Sequence, residues 1–356
     1  MNCFNIQSIN NTATGQAFAA SKPISDTIET LGNIGCQNMG EIDSLPNVFG
    51  NRVILPHTLR TYFKHVKNGD RIFVQYPLYI SYPAFWQVIH YLRVTKKCKL
   101  TFIIHDINSL RIDPAVGMGG MGHTNNATRS LKNELRILKF ASEILVPTNA
   151  MRDFLRNTNK LSANITVFGL YEHLSSSKEM PVFKKKKTMI FAGNLNKAEF
   201  LTKLNQSEFH YEIYGNKPST FSLPLNLDYR GSYPSEELAS HFSGGFGLVW
   251  DGSSIEGISG VMGNYLRYNS PFKASMFLAS GVPVVVWKQA AIADFVERNN
   301  LGLIVNSLKE AEVAIQGLSD AKYNDLVTNV RSFGLKLRKG VQFTDAVQHT
   351  LTSDRT

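Results

Sequence analysis

Short apolar runs alternate with amphipathic segments along the whole chain, a pattern that predicts α/β architecture. In the first half, strands are expected at 2–6, 71–75, 100–104 and 143–146. These runs are rich in Ile, Val and Phe without strict alternation, as parallel strands buried on both faces require. Helices are expected between them, at 23–33, 56–66, 83–95, 128–140 and 149–157. Pro23, Pro56 and Pro83 each fall in a first helical turn, where the missing N–H costs nothing.

The pattern lapses over 171–187, YEHLSSSKEMPVFKKKK, which reads as an interdomain linker. It then resumes, with strands expected at 188–192, 210–214, 246–250, 282–287 and 303–305. Helices are expected near 197–204, 235–241, 272–279, 292–299 and 308–318, and two more around 323–337 and 344–350 close the chain. Two successive α/β units of similar size predict two Rossmann-like domains facing a cleft. The boundaries are a first domain at 1–170, the linker at 171–187, a second domain at 188–338, and a terminal helix at 339–356 that returns to the first domain. Ligands of such sheets sit outside the carboxyl ends of the strands, and those ends are where the chemistry is sought.

Composition narrows the class. A chain of 356 residues suits two domains, and 43% hydrophobic with 19% charged residues excludes general disorder. Cys3, Cys36 and Cys98 are too few and too scattered for a disulfide framework or a Cys-rich zinc site. No apolar stretch reaches the roughly 18 residues of a spanning helix. The first residues lack the basic start and apolar core of a secretory signal, so a cytoplasmic location is expected. The net charge of +10 is uneven: residues 1–165 hold 18 Lys/Arg against 10 Asp/Glu, and the remainder 20 against 18. Such a first half suits phosphate, an acidic acceptor or an anionic membrane surface, or simply a solubilising face. Nucleic acid is not expected, because no run of Arg/Lys is interleaved with aromatics.

The candidate chemistry lies at strand ends. Gly117-Met-Gly119-Gly120-Met-Gly122 satisfies G-x-G-x-x-G, yet Arg111-Ile-Asp-Pro114 precedes it where a phosphate loop needs a strand. It reads as a glycine-rich lid bordering a cleft. His105-Asp106 follows the strand LTFII, so both fall at its carboxyl end. Asp106 there is a candidate base or acceptor-orienting group, with His105 beside it; the alternative is a helix cap over a packed imidazole. In the second half, Gly193-Asn194-Leu195, Tyr214-Gly215 and Trp250-Asp251 each end a strand. The first turn would bring backbone amides, backed by a helix N-terminus, close to an anion, and Tyr214 would border a base. Lys273 at the start of a helix conflicts with the helix dipole unless an anionic ligand is bound there; the alternative is a solvated lysine. No H-E-x-x-H, paired C-x-x-C or D-x-D occurs, so no metal and no cofactor are expected, and no G-x-S-x-G supports a serine hydrolase.

The string PFKASMFLASGVPVVVW resembles the nucleotide-sugar segment of GT-B glycosyltransferases, with Met276 where many of those enzymes carry a ribose-binding Glu. With FIIHDINSLR, FAGNL, SKPISDT and the block from GLVWDGSS to YNSPFK, most of the chain resembles the accessory glucosyltransferases of serine-rich repeat adhesins. Bacterial galactofuranosyltransferases of polysaccharide assembly are similar in the same places. The resemblance implies a metal-independent, UDP-sugar-dependent hexosyltransferase that extends GlcNAc on Ser or Thr of an adhesin and forms homo-oligomers, reportedly tetramers. It implies that Gly193, Asn194, Tyr214, Asn269 and Lys273 hold UDP. It also implies that Thr14, Gly15 and Gln16 border the acceptor with the glycine-rich loop at Gly119 and Gly120. A non-catalytic nucleotide-sugar-binding subunit is the alternative from another class.

Overall fold

The computed structural model describes residues 2–8, 21–42, 54, 56–111, 130–159, 161–175, 180, 187–195, 198–205, 207–217 and 222–352. The chain divides into two compact units, one within 1–15, 24–168 and 343–356 and the other within 16–23 and 169–342.

The first unit is built on β1 (Cys3–Gln7), β2 (Gln37–Glu41), β3 (Arg71–Tyr76), β4 (Lys99–Ile104), β5 (Glu143–Val146) and β6 (Asn164–Val167). They form one sheet in the order β2-β1-β3-β4-β5-β6, every neighbouring pair parallel. The inner strands are mostly apolar because helices cover both faces of a parallel sheet; β3 is buried at all of its positions. The last helix, Val341–Thr352, belongs to this unit: Phe343 and Val347 are buried, and Arg71 Nη2 donates to the carbonyl of Thr350 at 3.5 Å. Arg71 is itself buried and pairs with Glu143 at 3.0 Å, so its charge is compensated inside the sheet.

Cys3 and Cys36 form a disulfide, a single bridge that the reading against a disulfide framework does not foresee. Parallel pairing of β1 with β2 sets Phe4 opposite Gln37, and the same register brings Cys3 beside Cys36 across 33 residues of sequence.

The second unit carries β7 (Thr188–Ala192), β8 (His210–Tyr214), β9 (Leu227–Gly231), β10 (Phe246–Val249), β11 (Val284–Trp287) and β12 (Gly302–Val305). Their order is β12-β11-β10-β7-β8-β9, again all parallel. From β7 the chain first builds outward through β8 and β9, then returns to place β10 on the other side of β7. The crevice between the ends of β7 and β10 is therefore the topological switch point, where such sheets bind ligands.

Some local expectations change. β2, β6 and β9 were not expected, and each is an edge strand with polar or exposed positions. The helix expected at 197–204 is a short 3-10 turn, Glu199–Lys203, so no full helix dipole stands behind the Gly193 turn. Tyr171, Glu172 and His173, read from sequence as linker, are buried in the second unit, and His173 N donates to Leu337 O at 3.2 Å.

Candidate active site

At the switch point of the second unit the ends of β7, β8 and β10 converge on the start of the Phe272–Ala279 helix. Gly215 adopts φ +143°, and a Cβ there would run into the carbonyl of Gly193, so only glycine lets these two strand ends touch. Gly193 N donates to Tyr214 O at 3.1 Å and Gly215 N to Gly231 O at 2.9 Å. The first of these corrects an expectation: the Gly193 amide is spent within the protein, and Gly193 contributes open space instead of a donor. Gly252, at φ +96°, follows the end of β10, and its carbonyl accepts from Phe200 N.

Lys273 lies in this crevice. Its ammonium donates to Trp250 O at 3.0 Å and to Asp251 Oδ1 at 2.8 Å, and it stands 4.6 Å from the Phe191 ring centroid. Both charged side chains are largely enclosed, 14% and 18% exposed. The conflict between Lys273 and its helix dipole is thus already relieved by Asp251, where the sequence reading offered a bound anion or a solvated lysine. An ammonium has three donors and two are used here, leaving one. The helix begins after Pro271 with no side-chain cap; Ala274 N is taken by Pro271 O at 2.9 Å, which leaves the amides of Phe272 and Lys273 as the uncapped donors of this end. Asn269 Oδ1 and Ser270 Oγ are buried and have no hydrogen-bond partner among the described residues. Buried polar atoms are nearly always satisfied, so this pair, like Ser275 Oγ within the helix, stands out at the helix start. His173 braces the helix start by stacking on Phe272 at 5.3 Å; burial, with help from Lys22 and Arg338, pushes its pKa down to about 3 and keeps it neutral.

Other expected contacts of this unit are internal. Tyr214 is buried, and its hydroxyl donates to His241 O at 2.6 Å, so its ring packs in the core and does not border a base. Trp250 is fully buried with its indole donating to Ser254 O; only its carbonyl serves the site. Leu195 is a core side chain that pins the turn, Asn194 is exposed, and Met276 is buried in the core where it offers no polar group.

The first unit presents its own cluster at the ends of β3 and β4. Asn5, Gln7 and Gln75 are buried inside the sheet and joined in a ladder: Asn5 Nδ2 donates to Gln7 Oε1 and Gln75 Nε2 to Asn5 Oδ1. Gln75 Oε1 then faces His105 Nε2 at 2.9 Å, which assigns the proton to Nε2 of a neutral imidazole. Burial holds the His105 pKa down at about 4. Asp106 is ion-paired with Arg111, and burial together with the Asp106 charge raises the Tyr79 phenol to about 12. A buried carboxylate that sequence reasoning missed, Glu134, holds this loop in place. It accepts from Tyr76 Oη and from the amides of Asn108 and Ser109, each at 2.9 Å. Burial raises its pKa, against the opposing effect of those donors. A signal was present: Glu134 occupies the apolar stripe formed by Leu131, Leu135 and Leu138. Thr14, Gly15, Gln16, Gly119 and Gly120 lie outside the described residues. No cluster of His, Cys, Asp or Glu suited to a metal occurs among the described residues.

Family profiles described as glucosyltransferase 3-like, N-terminal domain and glucosyltransferase 3-like, C-terminal domain match residues 6–170 and 189–350. The chain belongs to the glucosyltransferase 3-like family. It is a glycosyltransferase with the GT-B fold. A curated relative, beta-1,6-galactofuranosyltransferase WbbI of Escherichia coli K12, is 26% identical over 99% of both chains. Glucosyltransferase 3 of Streptococcus parasanguinis is 28% identical over 77% of this chain and 76% of its own. Among solved structures, Anabaena HepE in complex with UDP superposes with a TM-score of 0.58 at 13% identity, covering 99% of this chain and 100% of its own. The two profiles meet the two structural units: the switch-point crevice lies within the C-terminal match and the Asp106 loop within the N-terminal one.

Proposed function

We propose that this chain transfers a hexose from a UDP-sugar to GlcNAc already linked to Ser or Thr of a serine-rich repeat adhesin, in the cytoplasm, as a homo-oligomer and without a divalent metal. The observation that carries the reading is the enclosed Lys273 ammonium at the switch point, with a donor to spare beside an uncapped helix start. A diphosphate would accept from that ammonium and from the helix amides. Asn269 Oδ1 and Ser270 Oγ supply acceptors for hydroxyls of the nucleotide or the sugar. As the bond between sugar and phosphate breaks, charge grows on the departing diphosphate, and donors already in place favour that state over the intact donor. The solved relative of this fold that carries UDP supports the choice of nucleotide.

In the first unit, Asp106 suits orienting an acceptor hydroxyl better than deprotonating it. Its carboxylate is already engaged by Arg111. His105, kept neutral by burial, does not readily become the cation that a general base must become.

The test is incubation of purified protein with several UDP-sugars and a GlcNAc-bearing Ser-rich peptide, read by mass spectrometry, with and without EDTA. A mass increase of one hexose, unaffected by EDTA, is expected. Binding of UDP without any product would instead identify a non-catalytic subunit, and strict dependence on a divalent ion would overturn the metal-free reading. The full-length match to WbbI favours a second reading, galactofuranosyl transfer in polysaccharide assembly. UDP-galactofuranose with a glycolipid acceptor distinguishes it.

A further inference from the structure

The first unit carries a surface that neither its sheet ends nor the proposed transfer reaction uses. The helix Tyr82–His90 and the π-helical turn Tyr91–Thr95 present Trp86, His90, Arg93 and Val94 to solvent on one side, and Lys97 is exposed just beyond them. Trp86 is 36% exposed, unusual for so large a ring. It meets Phe140 edge-on at 4.9 Å, and His90 lies 6.4 Å from the same ring. Phe140 closes the helix Leu131–Leu138, whose exposed residues Lys132, Arg136 and Lys139 recur at spacings of four and three and so share one face. These three cations, with Leu131 and Leu135, line a depression of about 370 Å³.

The charge on this surface is one-sided. Residues 81–104 contain Arg93, Lys96, Lys97 and Lys99 and no Asp or Glu. Over 131–142 the only acid is Glu134, and it points inward to Tyr76, Asn108 and Ser109. Lys97, Lys132, Arg136 and Lys139 have no ion-pair partner among the described residues. The sequence shows no such face because its members come from two segments about forty residues apart, joined by the packing of Phe140 on Trp86 and His90.

We propose that this surface docks the protein on an anionic lipid bilayer. Flexible cations spread over two helices, none held in a fork around a single acceptor, suit a diffuse field of negative headgroups; a discrete anion would be gripped by converging donors. An exposed indole among them matches the preference of Trp for the headgroup level, its ring in the apolar boundary and its N–H in water. The inference does not depend on the transfer reaction, since adsorption requires neither donor nor acceptor sugar.

Sedimentation of the full chain with vesicles of phosphatidylcholine, with and without phosphatidylglycerol, tests it. Binding is expected only to the anionic vesicles and is expected to weaken as salt is raised. Each basic side chain near an anionic surface is worth roughly a fivefold change in partition, so Lys132→Glu/Arg136→Glu/Lys139→Glu should lower it by at least about a hundredfold. Arg136→Glu alone should lower it about fivefold or more, which keeps the test sound if the triple variant melts early. Trp250 and Trp287 are buried, so a blue shift of tryptophan emission on binding reports Trp86 and should vanish in Trp86→Phe. The proposal is overturned by an absence of binding to phosphatidylglycerol vesicles, or by a charge-reversed, folded variant that binds as the parent does. It is equally overturned by preferential binding of RNA, or by a self-associated species that Trp86→Ala dissociates, which would make the patch a contact between copies.

Discussion

The two units end their sheets in opposite electrostatic states. At the Asp106 loop of the first unit, the carboxylates are closed on protein partners: Asp106 on Arg111, Glu134 on a hydroxyl and two amides. At the switch point of the second, among the described residues, one ammonium keeps a donor in reserve, a helix start has no side-chain cap, and two buried oxygens have no hydrogen-bond partner. A satisfied cluster is rigid and suited to aligning a neutral hydroxyl. An incompletely satisfied one retains interaction energy for a charged ligand. The proposed division of labour rests on this difference: the nucleotide diphosphate in the second unit, alignment of the acceptor in the first.

Acid separates the two most strongly, because each unit encloses one imidazole. With pKa values lowered to about 4 for His105 and about 3 for His173, the unfolded chain binds protons first as the pH falls below about 6.5. The stability that these neutral rings contribute is full above that pH. It is lost as the pH descends toward the folded values, by up to roughly 3 kcal/mol for His105 and roughly 5 kcal/mol for His173. Thermal midpoints should therefore drop between pH 6.5 and 4.5, above most carboxylate titration, and His173→Gln should flatten the part belonging to the second unit. Midpoints unchanged over that window would show that the rings are not held neutral.

Lys273→Ala comes next and bears directly on the contrast. It should weaken UDP binding by about 1.5–3 kcal/mol in calorimetry, the range for hydrogen bonds to charged groups. It also leaves Asp251 without its cation, so Asp251→Asn/Lys273→Ala separates lost attraction from new repulsion. If UDP affinity survived both, the switch-point assignment would fall.

Much of this was legible in the chain because burial on both faces writes itself as continuous apolar runs: TMIFA, FGLV and LTFII each mark an inner strand. The edge strands β2, β6 and β9 escaped because a strand covered on one side tolerates QNMGE or LDYRG, which carry no such signature. Lys273, Gly193 and Gly215 were found from their places at strand and helix ends. Their pairings were not, because Asp251 and Lys273 are 22 residues apart and meet only where the start of the Phe272–Ala279 helix packs at the end of β10. Tyr214 and Trp250 were misread for a related reason. An aromatic at a strand end looks like a ligand platform until the covering helices show that its ring is already packed. Glu134 and the Asn5–Gln75 ladder are polar residues inside apolar patterns, and such exceptions are the best sequence evidence of buried networks.

Smaller effects probe the first unit. Glu134→Gln keeps the shape but turns one of its oxygens into a donor facing the amides of Asn108 and Ser109 or the Tyr76 hydroxyl. A loss of about 1–2 kcal/mol in stability is expected, with slower transfer and unchanged UDP affinity. Restored turnover in Glu134→Asp would show that the charge, and not the side-chain length, organises the loop.

Asp106→Asn is the mildest and the most discriminating. The amide preserves the volume and can still accept from Arg111, so folding should change by no more than about 1 kcal/mol. UDP affinity should remain at the parental value, because every group proposed to hold the diphosphate lies in the second unit. Transfer should fall through a raised KM for the acceptor, the expected mark of an orienting group. A collapse of kcat at unchanged KM would instead mark Asp106 as a proton acceptor in the transition state. Joint loss of UDP binding and transfer would erase the distinction between a unit that binds the nucleotide and a unit that aligns the acceptor.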